Sequence, residues 1–216
     1  MRILKYLPLF ILGVSLSFMG CKSHKKTVVD NGDVVTYNTR RTFNQHYYEG
    51  AKLKALGDYE AATKEYNLAL AEIPNSHEVM YQLANIYFKN KKLEEAIHWA
   101  ELSVKKNKDY NFWYFGQLAQ MYSSAKQYDK AAETFATMVD KEPERKSTYE
   151  EAGNQYLNAK KPKEAIKFFE KSLSKFGSEE SLCRKLEELY FDLGQPNEAI
   201  RIIKRLSDSN PNDIKL

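Results

Sequence analysis

The sequence contains few of the residues that define several protein classes. Its 216 residues include two cysteines, six prolines and nine glycines. Two cysteines exclude a disulfide-rich scaffold, and so little proline and glycine excludes collagen-like and low-complexity chains. Neither sign of charge predominates, because 33 Lys+Arg and 29 Asp+Glu leave a net charge of +4. Nucleic-acid-binding proteins are usually far more basic, so we expect no nucleic-acid partner.

Motifs that carry chemistry are also missing. The four histidines, His24, His46, His77 and His98, include no pair at metal-ligand spacing on one helix face. No glycine-rich phosphate loop is present either. We therefore expect no catalytic residue, no metal site and no cofactor. One alternative stays open: an enzyme, or an enzyme-regulating subunit, that acts on cell-wall material.

The amino terminus has the pattern of a secretory signal. Arg2 and Lys5 precede an uncharged apolar run that continues to Gly20. A membrane-spanning helix needs about 20 apolar residues, so this run is short for one. A basic start, an apolar middle and a small final residue are typical of signal peptides. We predict a signal peptide at residues 1–20.

The residue after this run suggests a lipid anchor. The segment Leu16-Ser17-Phe18-Met19-Gly20-Cys21 resembles the lipobox of bacterial lipoproteins. That resemblance implies that Cys21 is acylated, for example with palmitate, and that the chain is tethered to a membrane of the cell envelope. The basic residues that follow, from Lys22 to Lys26, favour the outer membrane on its periplasmic face. The alternative is an anchor helix with an incidental cysteine.

Residues 21–42 are predicted to form a tether, because they have no helical periodicity. β-Branched residues flank Asn31-Gly32, which is a strong signal for a two-residue hairpin turn. An isolated hairpin is marginally stable in water. A small hairpin and a flexible tether with a transient turn are therefore both compatible with this segment.

A repeat of about 34 residues occupies the remaining chain. Five alanines recur at spacings of 34, 35, 34 and 34 residues: Ala62, Ala96, Ala131, Ala165 and Ala199. This pattern resembles the tetratricopeptide repeat. The resemblance implies an all-α, right-handed α-solenoid of helix-turn-helix units, with boundaries at 43–76, 77–111, 112–145, 146–179 and 180–213.

A second column of small residues belongs to the first helix of each unit, namely Gly50, Ala84, Ala119 and Gly153. These residues allow the two helices of a unit to approach closely. Pro162 and Pro196 are expected in the first turn of second helices, where the missing N–H costs nothing. Cys183 falls in a core column and is expected to be a buried apolar residue.

In the family that the repeats resemble, the first helices line a concave face. The inward positions of this chain combine aromatic, amide and charged residues: Tyr47, Lys54, Tyr81, Asn85, Phe88, Lys89, Trp113, Gln120, Asn154, Asn158 and Arg184. Amides can bond a peptide main chain, and aromatic residues give rigid contact area. Trp113 is the expected hot spot, whereas Tyr114 and Phe115 are expected to pack. The third unit has no inward Lys or Arg, which argues against capture of a C-terminal carboxylate.

The resemblance implies a membrane-tethered scaffold that binds a protein or peptide of the envelope, as an assembly or secretion accessory. This inference is an analogy at the level of the fold. The last unit has no polar capping helix after it, although solenoids usually need one. We therefore also predict self-association, or cover by a partner, at the C-terminal repeat.

Overall fold

The computed structural model describes residues 27–30 and 33–209. Within these residues, a two-stranded hairpin precedes ten α-helices. The strands are β1 (Thr27–Asp30) and β2 (Asp33–Thr36), and the helices are α1 (Tyr37–Ala55), α2 (Tyr59–Glu72), α3 (His77–Lys89), α4 (Leu93–Lys106), α5 (Phe112–Ser124), α6 (Tyr128–Lys141), α7 (Lys146–Asn158), α8 (Pro162–Phe176), α9 (Glu180–Asp192) and α10 (Pro196–Ser209). Consecutive helices pack in pairs. The predicted α-solenoid is confirmed.

Local chemistry explains where many of these helices begin. The side chains of Asp58 and Ser76 accept hydrogen bonds from the first-turn N–H groups of α2 and α3, which satisfies donors that have no partner within the helix. Pro162 and Pro196 are the first residues of α8 and α10, as the sequence predicts.

The turn between the two helices of each unit contains a residue with positive φ. Glycine fills this place in the first and last units, where φ is 83° at Gly57 and 68° at Gly194. Lysine fills it in the three central units, where φ is 60° at Lys91, 58° at Lys126 and 59° at Lys160. The left-handed conformation is costly for a residue with a β-carbon, so the central turns carry local backbone strain.

The core follows the two predicted columns of small residues. Ala62, Ala96, Ala131, Ala165 and Ala199 are all completely buried. Gly50 lies against the ring of Tyr66, and Gly153 lies against the ring of Phe169. Both aromatic side chains are completely buried. In each unit, the two helices therefore approach each other at a small residue on at least one of them. Cys183 is 1% exposed, so it belongs to the core.

Tyrosine side chains connect neighbouring units. The Tyr122 hydroxyl donates to Glu101 Oε1 over 2.5 Å, and the Tyr190 hydroxyl donates to Glu170 Oε1 over 2.8 Å. Burial and this hydrogen bond raise the pKa of Tyr190 to about 12. In the last unit, Arg205 also donates from Nη2 to the Leu173 carbonyl of α8 over 2.7 Å. These bonds attach the third unit to the second and the fifth unit to the fourth.

The amino-terminal boundary differs from the prediction. Helix α1 begins at Tyr37, inside the segment 21–42 that the sequence identifies as a tether without helical periodicity. Thr36 supplies the physical reason, because its Oγ1 accepts a hydrogen bond from the Thr39 N–H over 3.1 Å. The preceding hairpin is antiparallel, with Val28 opposite Val35. Val35 packs against the core cluster that contains Phe43.

Several predictions concern residues outside the described ranges. They are the signal peptide at 1–20, lipidation of Cys21, the first part of the tether, and the end of the last repeat beyond Ser209. No helix in the described part of the chain is both long enough and apolar enough to cross a membrane.

Candidate functional site

The first helices of the first three units line a surface cavity of about 220 Å³ that is open to solvent. Helix α1 contributes one lining residue, α3 contributes three, and α5 with its N-cap contributes three. The lining residues are Tyr47, Glu78, Tyr81, Gln82, Asn111, Trp113 and Tyr114. Four of them are aromatic, which makes this cavity the candidate recognition site.

Asn111 fixes the position of Trp113. Its Oδ1 accepts hydrogen bonds from the N–H groups of Trp113 over 3.0 Å and of Tyr114 over 3.3 Å. This cap starts α5 and places Trp113 in its first turn. The Trp113 side chain is 69% exposed and makes an edge contact with the Phe112 ring, with ring centroids 5.5 Å apart. A large indole is therefore presented to solvent beside the cavity.

A stacked pair of tyrosines forms the wall between α3 and α5. The rings of Tyr81 and Tyr114 lie 4.8 Å apart at an interplanar angle of 20°. The Tyr114 hydroxyl is 3.0 Å from His77 Nδ1, within hydrogen-bond distance. The side-chain amide of Gln117 donates to the Tyr81 carbonyl over 3.2 Å. These contacts fix the wall, so this part of the site is preorganised.

The charged residue that lines the cavity is a carboxylate, and His77 Nδ1 lies 3.7 Å from its Oε2. Of the described residues that line the cavity, Glu78 carries a negative charge and none carries a positive one. Ser76 Oγ donates to Glu78 Oε2 over 2.9 Å, which positions the carboxylate. Burial raises the pKa of both Tyr47 and Tyr114, and the Glu78 charge contributes to the rise. Both phenols therefore stay neutral at physiological pH.

A lysine lies next to the cavity without lining it. The Lys54 ammonium donates to Gln82 Oε1, and Gln82 is a lining residue. Partial burial lowers the pKa of Lys54. The site thus combines a carboxylate within the cavity and an ammonium beside it.

The structure brings together some of the predicted groove residues. Tyr47, Tyr81 and Trp113 line one cavity, and Lys54 adjoins it through Gln82. Asn85 instead donates to the Tyr81 carbonyl of its own helix over 3.2 Å.

The other predicted residues lie elsewhere on the solenoid. Phe88 packs against the core cluster around Ala84 and Leu118. Asn154 accepts a hydrogen bond from Lys185 over 3.0 Å, and Arg184 donates to Glu180 over 2.7 Å. The remaining three side chains are exposed, namely Lys89, Gln120 and Asn158.

Sequence reasoning missed three lining residues, since Glu78 does occupy one of the family's inward positions. Tyr114 was expected only to pack, yet this buried residue also forms the cavity wall. Gln82 does not occupy one of the family's inward positions. Asn111 had a detectable signal, because an Asn before an aromatic helical run is a favoured N-cap.

The described residues show no arrangement for metal chemistry. Within residues 27–30 and 33–209, no group of three or more His, Cys, Asp and Glu side chains could hold a metal ion. Burial raises the pKa of the Cys183 thiol, against a smaller opposite effect of Arg205. A protonated, buried thiol is a poor nucleophile.

The chain resembles several solved structures. A search of curated protein sequences found no match. Among solved structures, a MamA protein has 18% identity and a TM-score of 0.62, with 82% of this chain and 97% of that chain covered. YrrB, a TPR protein with an unusual peptide-binding site, has 16% identity and a TM-score of 0.59, with 78% and 87% covered. PilF of Pseudomonas aeruginosa has 19% identity and a TM-score of 0.52, with 80% and 78% covered.

These identities are low, so the structural likeness concerns the fold. The family evidence comes from the sequence itself. A family model described as tetratricopeptide repeat matches residues 53–111 and 156–216. These two segments amount to more than half of the chain. The chain belongs to the tetratricopeptide repeat family.

Proposed function

We propose that this protein is a membrane-tethered interaction scaffold that holds a segment of a partner protein against the concave face of α1, α3 and α5. The observation that carries the proposal is the exposed Trp113 beside a preorganised, aromatic cavity. Tryptophan is among the residues most enriched at the hot spots of protein recognition. The family supports the proposal too, because its members bind protein or peptide partners.

Substitution of Trp113 tests the recognition part of the proposal. We expect Trp113→Ala to reduce partner recovery in a crosslinking pull-down from native membranes, with unchanged helical circular dichroism and melting temperature. Phe191→Ala is a matched control, because Phe191 is also an exposed aromatic residue on a first helix but does not line the cavity. Equal recovery of partners by the Trp113→Ala variant and the natural sequence would contradict the proposal.

The tether is the second part of the proposal and rests on the sequence around Cys21. Two acyl chains give stable membrane attachment, whereas one gives only marginal binding. We expect metabolic labelling with palmitate to modify the natural sequence and not Cys21→Ser. Fractionation of the envelope then tests the proposed outer-membrane, periplasm-facing location. Cytosolic recovery of the natural sequence would exclude both the tether and this location.

Self-association through the C-terminal repeat is the third part. Helix α10 buries Ile202 completely but leaves Ile200 59% exposed. An exposed apolar residue on the last helix could be covered by a second copy. Sedimentation of the detergent-solubilised chain as a monomer at micromolar concentration would exclude this part without affecting the other two.

A further inference from the structure

The cavity of the first three units has the composition of a cation-binding aromatic cage. Four aromatic side chains line it: Tyr47, Tyr81, Trp113 and Tyr114. The face of an aromatic ring carries negative electrostatic potential, and tryptophan attracts cations most strongly. Several rings around one space therefore favour a cation over an anion.

The Glu78 carboxylate strengthens this preference. It lines the same cavity, and its charge contributes to the raised pKa of the phenols of Tyr47 and Tyr114. A carboxylate close enough to oppose phenolate formation on two walls of the cavity would attract a cation placed between them.

The size of the cavity suits one side chain. Sites for drug-sized small molecules occupy about 300–1,000 Å³, whereas this cavity occupies about 220 Å³. A single long side chain of a partner, with its charged end inside the cavity and its stem along Trp113, fits this volume better than a complete cofactor or metabolite.

The cation–ring contacts of the described residues involve other rings. Across residues 27–30 and 33–209, lysine or arginine groups lie over rings that do not line the cavity, namely Phe43, Phe112, Tyr122, Phe168 and Phe169. Arg145, for example, lies 4.1 Å from the Phe112 ring centroid, next to Trp113 in the chain. Tyr81 and Tyr114 cover one face of each other, and Trp113 is the large exposed ring of the cavity. The indole of Trp113 is thus available to a cation from outside.

Lys54 opposes such a ligand, and this opposition makes the inference testable. Its ammonium contacts Gln82 at the edge of the cavity. A cationic ligand would be repelled by Lys54, whereas an anionic ligand, such as a peptide carboxylate, would be attracted by it. Removal of this charge should therefore change the affinity in opposite directions for the two ligand classes.

The geometry points to a specific ligand chemistry: the cavity binds one lysine or arginine side chain of the partner segment, against the exposed indole of Trp113 and near the charge of Glu78. This inference rests on the proposed function, because it assumes that a partner segment lies on the concave face.

Peptide selection tests this ligand chemistry even while the natural partner is unidentified. The full chain, in a nonionic detergent, selects from a phage-displayed library of random dodecapeptides, and the Trp113→Ala variant serves as the counter-selection. We expect the selected peptides to share a lysine or arginine at one position. Replacement of that residue by the neutral norleucine or citrulline should weaken binding about tenfold.

Variants then attribute the preference to the cavity. Glu78→Gln should weaken binding of the cationic peptide severalfold and leave the neutral analogue nearly unchanged. Glu150→Gln is the matched control, because Glu150 lies on the first helix of the fourth unit and pairs with Lys146 at 3.7 Å. Lys54→Gln should strengthen binding of the cationic peptide. Melting temperatures measured for each variant separate these effects from loss of folding.

The outcomes distinguish the two proposals. Selection of peptides that depend on Trp113 but share no basic residue would overturn the cation inference and leave the interaction function intact. Selection of peptides that share an acidic residue or depend on their C-terminal carboxylate, with binding weakened by Lys54→Gln, would overturn it in favour of an anion site. Failure to select any peptide that depends on Trp113 would overturn both proposals.

Discussion

Gly153 of α7 lies against the ring of Phe169 of α8 so closely that no larger residue fits. A β-carbon at position 153 would stand 2.3 Å from Cε1 of Phe169. The first unit repeats this arrangement, because a β-carbon at Gly50 would stand 3.1 Å from the Tyr66 ring. Glycine thus occurs where the second helix contributes a fully buried aromatic ring.

This relationship predicts that Gly153→Ala destabilises the protein. The added methyl group must displace Phe169, and overpacking of a core costs about 1–3 kcal/mol of the free energy of unfolding. Chemical denaturation measures the change. Gly116→Ala is the matched control on α5, since its β-carbon would meet only Met138 Cε at 3.6 Å, an ordinary contact. There, helix propensity should add about 0.5–1 kcal/mol of stability.

A double-mutant cycle assigns the effect to the ring. Phe169→Leu should cost less in the Gly153→Ala background than in the natural sequence, because the smaller side chain makes room for the methyl group. Additive costs would mean that Gly153 is required for another reason. A neutral Gly153→Ala substitution would contradict the close approach itself.

The hairpin supports a second prediction, on the stability of the first unit. Val35 packs into the first core cluster, whereas its neighbour Val34 is 70% exposed. We expect Val35→Ala to lower the free energy of unfolding by about 1 kcal/mol and Val34→Ala to change it by less than about 0.5 kcal/mol. Both substitutions remove the same atoms from the same strand, so intrinsic strand propensity cancels. Equal effects would show that the hairpin does not contribute through packing.

The repeats could be predicted because their spacing is determined by local helix packing. Ala62 and its four counterparts lie where two helices approach, and each helix pair must meet the same requirement. Phe135 shows the limit of this reasoning. It occupies the same column as Tyr66 and Phe169 but is only half-buried, since the facing column contains Ala119 rather than glycine. The repeat pattern predicts which residues of the two helices face each other. The volumes of the two facing side chains decide how deeply each of them is buried.

The candidate site was less predictable than the fold. The family pattern identifies inward positions one helix at a time, and it includes Tyr47, Tyr81 and Trp113. It does not give the Tyr81–Tyr114 stack or the contact between Lys54 and Gln82, which depend on side-chain rotamers and on the angle between units. The start of α1 at Tyr37 had a local signal that the expectation of a tether overlooked, because Thr36 is a favoured N-cap residue.

The strained turns give a third prediction. Lys126 has a φ of 58°, and the left-handed conformation costs a residue with a β-carbon about 1–2 kcal/mol more than glycine. Glycine loses more backbone entropy on folding, which offsets part of the gain. We expect Lys126→Gly to raise the free energy of unfolding by about 0.5–1 kcal/mol.

Lys167→Gly is the control for this turn, because Lys167 is exposed in the interior of α8. Glycine at that helical position should lower stability by about 1 kcal/mol. The same substitution thus has opposite signs at the two sites. Destabilisation by Lys126→Gly would mean that the lysine side chain contributes more than its backbone strain costs.

The buried thiol of Cys183 gives the last prediction, on pH. Burial raises its pKa in the folded chain, so the unfolded chain loses this proton first as pH rises. The contribution of the thiol to stability is therefore complete below the ordinary thiol pKa. The free energy of unfolding then falls from about pH 8.5 upwards, with a slope of up to about 1.4 kcal/mol per pH unit.

Denaturation of the Cys21→Ser variant between pH 8 and 10 measures this slope, and the Cys21→Ser/Cys183→Ala variant gives the baseline. Tyrosines such as Tyr190 titrate in both variants, so the difference isolates the thiol. Equal slopes in the two variants would show that the fifth unit does not protect this residue. Reaction of Cys183 with Ellman's reagent as fast in buffer as in urea would show the same.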